Sequence, residues 1–272
     1  MENMVVFDFS GTLSIGAVLF SREENLVKEL QQAGLWQIGL NSLEIFWNDV
    51  INPTWQQGAT TAIGYKRLLA ERLRPICYAS EEKIFRCVAK FADRYFTSSS
   101  IHSAWSPIIH FLLEQPANVV VIATDHYAEA TGQILSQLEQ LDIPGVSVSQ
   151  AKNGTHEGKV IVANSSDLGH MKSTYEFWQL VKASLALETL FQVMVIDDFG
   201  FNESSQDSYA AAEKIATRQN TIIDVLSKSF GCRIQTCPFL LQNKLSVHVE
   251  TIMSEFHECL KKTETFIREN ML

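Results

Sequence analysis

Four uninterrupted apolar runs punctuate the chain: Val5-Val6-Phe7, Val119-Val120-Val121-Ile122, Val160-Ile161-Val162-Ala163 and Val193-Met194-Val195-Ile196. Val146-Ser147-Val148 adds a fifth, weaker one. The first four are too short for a helix and show no apolar–polar alternation, so they read as strands buried on both faces; the fifth reads as a further short strand. Elsewhere the apolar positions follow helical spacing. Leu26, Leu30 and Ala33 share one face, with Gly34 as the stop. Ile63, Leu68, Leu69 and Leu73 share another, bounded by Pro75. Residues 81–96 predict a longer helix, with Ile84, Phe85, Val88 and Phe91 on one side and Ser80 as N-cap. Residues 107–113, 128–138 and 173–187 predict three more. No convincing strand is visible between residues 14 and 100.

Strands alternating with helices predict an α/β fold: a Rossmann-like parallel sheet core flanked by helices, joined by right-handed crossovers. The long helical segment after the first strand reads as an insertion at residues 14–104. Residues 1–13 and 105–272 then form the core. Ligands of such sheets lie beyond the carboxyl ends of the strands. That rule puts Asp8, Thr124 and the Asp197-Asp198 pair on one rim. In the tail, Leu245, Val249, Ile252, Phe256, Cys259, Thr263 and Phe266 form a heptad-like stripe. Docking of a last helix on the core is the favoured reading, and a homodimer seam is the alternative.

Charge narrows the partners. The formal net charge is −9, which argues against nucleic acid as the main partner. A small anionic substrate remains compatible, because one lysine and one metal ion can hold it. No membrane-length apolar run and no signal pattern are visible, so no membrane partner and a cytoplasmic location are expected. The five cysteines match no zinc spacing and read as reduced thiols. The glycosylation-like triplets at Asn153, Asn164 and Asn202 are taken as coincidental.

Four signals at strand and helix ends combine. Asp8 follows the first strand within Asp8-Phe9-Ser10-Gly11-Thr12, and Thr124 ends the second. Lys172 opens a predicted helix, with Lys152 and Lys159 as competitors for its role. Asp197-Asp198 closes a later strand. Two adjacent acids at a buried strand end repel one another and call for a cation.

In order and spacing these motifs resemble those of the haloacid dehalogenase superfamily, whose members are mostly phosphatases. The resemblance implies that the insertion is a helical cap and that Asp8 is a nucleophile forming an aspartyl phosphate. It implies Mg2+ as cofactor, held by Asp8, the backbone carbonyl of Ser10, Asp198 and, directly or through water, Asp197. Lys172 would steady Asp8, and Thr124 would hydrogen-bond the phosphoryl oxygens of a small phosphorylated substrate. Gly11, Thr12, Asp125 and His126 are added as candidate substrate-binding residues. Asn202, Glu203 and Asp207 are candidates for the metal's outer shell. Trp47, Trp55, Tyr65, Lys66 and Arg67 are candidate cap contacts.

Ser10 departs from the family's phosphatase pattern, which has a second aspartate there. That residue protonates the leaving oxygen and then activates water, work worth roughly 10²–10⁴-fold. Three outcomes are open. The substrate carries a good leaving group; another group such as His126 or a cap residue substitutes; or the protein binds a phosphorylated ligand without turning it over. A phosphonate hydrolase using Lys66 or Lys28 as a Schiff base is a further alternative.

Overall fold

β1 (Glu2–Phe7) is the inner strand of the sheet, because nothing polar interrupts its second half. It pairs in parallel with β2 (Asn118–Thr124) on one side and β5 (Leu190–Asp197) on the other. β4 (Val160–Asn164), followed by the one-turn helix α9 (Ser165–Leu168), joins β2, and β3 (Gly145–Ser147) lies outside β4. β6 (Arg233–Pro238) closes the other edge against β5. The order β3-β4-β2-β1-β5-β6 is parallel throughout. The protein is therefore an α/β, Rossmann-like fold. The structure, a computed structural model, describes residues 2–151, 157–204, 206–210, 212–246 and 248–271.

Successive side chains of a strand point to opposite faces, and the two apolar clusters follow that rule. Val5, Phe7, Val120, Ile122, Met194 and Ile196 enter one. Met4, Val6, Val119, Val121, Val193 and Val195 enter the other. The first face is covered by α7 (Ser106–Leu113), α8 (Glu129–Gln140) and α12 (Val249–Asn270). The second is covered by α10 (Tyr175–Leu185) and α11 (Ala212–Phe230).

Between β1 and α7 the described residues form helices and turns and no named strand. These helices are α1 (Ile15–Phe20), α2 (Glu23–Ala33), α3 (Leu43–Ile45), α4 (Asn52–Ala59), α5 (Tyr65–Leu73) and α6 (Glu81–Ser98). A π-helical turn, Phe46–Ile51, joins α3 to α4. Its cause is local. Pro53 has no N–H to give and its ring crowds the carbonyl four residues back, and that carbonyl, of Asp49, is taken by the Arg72 guanidinium. The helical segment is tied to the rim of the sheet. Glu129, from α8, accepts the Tyr65 N–H at 2.7 Å and the Lys66 N–H at 3.3 Å, capping α5. Asn52 accepts the Ser208 N–H at 2.9 Å and donates to the Gln206 carbonyl at 3.2 Å.

The tail stripe faces inward. Of its members Ile252, Phe256 and Thr263 are buried and Cys259 and Phe266 half-buried, and Phe256 lies edge-on to Phe239 at 5.5 Å. This is the core-docking reading; Leu245 and Val249, the first two positions of the stripe, are exposed and contribute nothing to it. Lys172 does not open a helix as expected: it sits in the turn before α10, which starts at Tyr175. α11 and β6 were not legible, since α11 carries mixed polar residues and β6 is a half-buried edge strand. Lys152 and Asn153 lie outside the described residues. Asn164 and Asn202 are buried. The five cysteines form no disulfide. Among the described residues, no helix is long and apolar enough to cross a membrane.

If α12 is part of the core, Phe256→Ala lowers unfolding stability by about 3–5 kcal/mol. Urea denaturation reads this, and a loss below about 1 kcal/mol contradicts the placement.

Candidate active site and metal centre

The site follows from register. Phe7 lies opposite Ile196 and β1 is parallel to β5, so the residues that follow, Asp8 and Asp197, emerge side by side. Asp8, Asp197 and Asp198 bring ligand oxygens within 4.8 Å of one another, a cluster that can hold a metal ion. They are only 6%, 3% and 1% exposed. Lys172 Nζ reaches into it, 2.5 Å from Asp8 Oδ1 and 2.8 Å from Asp197 Oδ2. Three carboxylates against one ammonium leave an excess of negative charge in a buried place. Burial, then the neighbouring acids, push Asp8 well above the usual carboxylate range, with Lys172 opposing. Burial and the charges of Glu203 and Asp197 push Asp198 up to about 8. Burial works against the Lys172 charge, but Asp197 and Asp8 outweigh it and hold the ammonium well above its usual range. A divalent cation among the acids would reverse the upward shifts. The donor set, all hard oxygens, suits such an ion.

Three of the expected ligand-contacting residues, Gly11, Thr12 and Asp125, also hold the loops. Thr12 is fully buried, and its hydroxyl accepts the Asp198 N–H at 3.1 Å while its carbonyl accepts Trp105 Nε1–H at 3.2 Å. Gly11 sits at φ +78°, and a Cβ there would lie 2.6 Å from Asp198 Oδ2. Asp125 accepts the Lys172 N–H at 2.7 Å, fixing the turn that delivers the ammonium. Asn202 is spent on the same task. It donates to the carbonyls of Gly11 and Phe239 at 2.7 and 2.8 Å and accepts the Leu241 N–H at 2.8 Å. Lys159 precedes β4, at the end of the strands opposite the acid cluster.

A cavity of about 60 Å³ opens in front of the cluster. Asp8, Ser10, Thr124, Asp125 and His126 form its floor, and Trp55, Tyr95, Glu203, Asp207 and Tyr209 its walls. Among the described residues, no lysine lines it. Lys66 is instead paired with Asp93 at 2.5 Å, and Lys28 is exposed on α2. His126 is not on the surface. Its Nδ1 accepts the Tyr127 N–H at 2.8 Å, which leaves Nε2–H facing the Tyr95 hydroxyl at 3.1 Å. Burial lowers its pKa to about 4, so it is neutral with both nitrogens committed.

Glu203 matters more than its sequence position suggested. Its carboxyl lies beside the Ser10 side chain. Burial, opposed by that hydroxyl, pushes its pKa up to about 7. It thus stands beside the position where an acid is missing. The only sequence signal was its closeness to the acid pair. Asp207 is placed away from the three-carboxylate cluster, among the tyrosines of the cavity wall, where its charge acts on Tyr127 and Tyr95.

No protein-family model matches this chain, and no curated protein matches it.

Lys172→Met removes the single cation from this group. It is expected to cost about 3–5 kcal/mol of stability, with partial recovery on adding millimolar Mg2+. Urea denaturation with and without the ion checks both parts, and a loss below about 1 kcal/mol contradicts the ion-pair geometry.

Proposed function

We propose that the protein is a Mg2+-dependent phosphohydrolase of the haloacid dehalogenase type, acting on a small phosphorylated metabolite. The observation that carries this reading is the Lys172 ammonium bridging Asp8 and Asp197 inside the buried three-carboxylate cluster. Asp8, Asp197 and Asp198 would hold the ion, together with the Ser10 carbonyl that the family resemblance implies. When bound, Mg2+ supplies the positive charge that lets a phosphoryl group approach these acids. The helical segment over the rim is the cap.

Asp8 is the nucleophile. One carboxylate oxygen forms a bond to phosphorus, the bond to the leaving oxygen breaks, and an aspartyl phosphate results. Water then attacks that phosphorus, releasing inorganic phosphate and restoring Asp8. Lys172 keeps Asp8 charged and aimed. Thr124, on the cavity floor, gives its hydroxyl to the phosphoryl oxygens.

The leaving oxygen needs a proton that Ser10 does not supply. His126 is neutral and committed to two partners. We assign the transfer to Glu203, because its carboxyl lies beside the Ser10 side chain and lines the same cavity. The phosphonate reading loses its support, since no lysine lines the cavity among the described residues. A binding protein without turnover is the second reading, and Ser10 is the observation that favours it.

Asp8→Asn is expected to abolish hydrolysis in a phosphate-release assay, and chelation of Mg2+ to do the same. Glu203→Gln is expected to slow hydrolysis of alkyl phosphates by roughly 10²–10⁴-fold, with little effect on acyl phosphates, whose leaving groups need no proton. An equal loss on both substrate types would contradict the Glu203 assignment. If wild-type protein with Mg2+ binds phosphate esters and turns over neither type, the binding reading replaces the phosphatase reading.

A further inference from the structure

A second cavity, of about 70 Å³, adjoins the first and shares Trp55, Tyr95, Glu203 and Asp207 with it. Its remaining wall is mostly aromatic: Phe20, Phe46, Trp47, Tyr65, Phe91 and Tyr127. The rings support one another. Tyr65 lies 4.3 Å from Tyr127, Trp55 lies 5.4 Å from Tyr127, and Phe46 lies 5.2 Å from Trp47. Among the described residues, no lysine, arginine or histidine lines this cavity. Neither Glu203 nor Asp207 has an ion-pair partner among the described residues. The cations nearest in charge to Asp207 are engaged elsewhere: Arg218 donates to the Phe199 and Tyr209 carbonyls, and Lys214 to the Ser208 carbonyl.

Aromatic faces carry negative potential and attract organic cations. A box of such faces with the Asp207 carboxylate in its wall and no cation paired to it is therefore matched to positive charge. An alkyl tail would satisfy the rings and leave that carboxylate uncompensated. An anion would be repelled. A hydrated primary ammonium would lose more water than these walls can replace. The volume of about 70 Å³ admits only a small group, such as an alkylated ammonium.

We propose that this cavity is a subsite for the alkylated ammonium head of the substrate, making the substrate class a zwitterionic phosphate monoester. This rests on the phosphohydrolase reading for the phosphoryl end. The head sits among Trp47, Trp55, Tyr65 and Tyr127, with Asp207 as its counter-charge. Trp55 lines both cavities, and its Nε1–H has no partner among the described residues. It is free to donate to an oxygen of the linking ester.

Two measurements on the full-length protein separate this claim from the phosphohydrolase reading. The first is binding of choline, which carries no phosphate, by calorimetry at low salt. Wild type is expected to bind saturably, and Asp207→Asn and Trp47→Ala each to weaken binding by about tenfold. The second compares hydrolysis of phosphocholine with that of 3,3-dimethylbutyl phosphate, its uncharged isostere. Wild type is expected to prefer phosphocholine by about tenfold in kcat/KM, and Asp207→Asn to reduce that ratio toward unity. Choline binding with no hydrolysis of either ester keeps the subsite and ends the phosphohydrolase reading. Equal hydrolysis of both esters with no choline binding overturns the subsite and leaves the phosphohydrolase reading standing.

Discussion

A buried ammonium between two carboxylates governs this molecule. Lys172 touches both Asp8 and Asp197, each almost sealed from water. Leaving any of these charges alone in such a place is costly. The three chain segments that carry them must therefore stay together. β1 and β5 manage this by lying side by side in parallel, and the turn before α10 brings the lysine across. Asp198 adds a further negative charge that the lysine does not balance. The cluster is thus held by one cation and suited to another.

Much of the surrounding polar chemistry serves this geometry. Gly11 brings the backbone against Asp198, Thr12 takes the Asp198 N–H, and Asn202 stitches the two loops to the segment after β6. Asp125 and Trp178 grip the Lys172 backbone from either side. A substitution at any of these positions acts through the placement of Asp8 and its neighbours. The groups free to meet a ligand are fewer: Thr124 and Ser10 on the floor, Glu203 and Asp207 on the wall, and the aromatic side chains of the helical segment.

The sheet was legible because strands buried on both faces must be apolar without a break, as Val119–Ile122 and Val193–Ile196 are. The strand ends were legible because a charged residue can follow such a run only where the chain leaves the apolar core. β6 was hidden because an edge strand half open to solvent keeps Gln235 and Thr236 among its apolar residues. The division of labour at the rim was hidden for a different reason. Whether Thr12 faces a ligand or Asp198 depends on loop geometry that one sequence does not express. Glu203 was similarly obscure: only the fold brings it against Ser10, 193 positions earlier in the chain. The aromatic box draws on five helical segments and the loop after β2, and no local spacing joins them.

The account turns on Asp8 attacking phosphorus with a cation beside it. Borohydride reduces an aspartyl phosphate to homoserine, so trapping during turnover of acetyl phosphate, followed by peptide mass analysis, reads the intermediate directly. Homoserine at position 8, formed with Mg2+ and absent without it, is the expected result. Phosphate release under the same conditions with position 8 still aspartate would contradict the account.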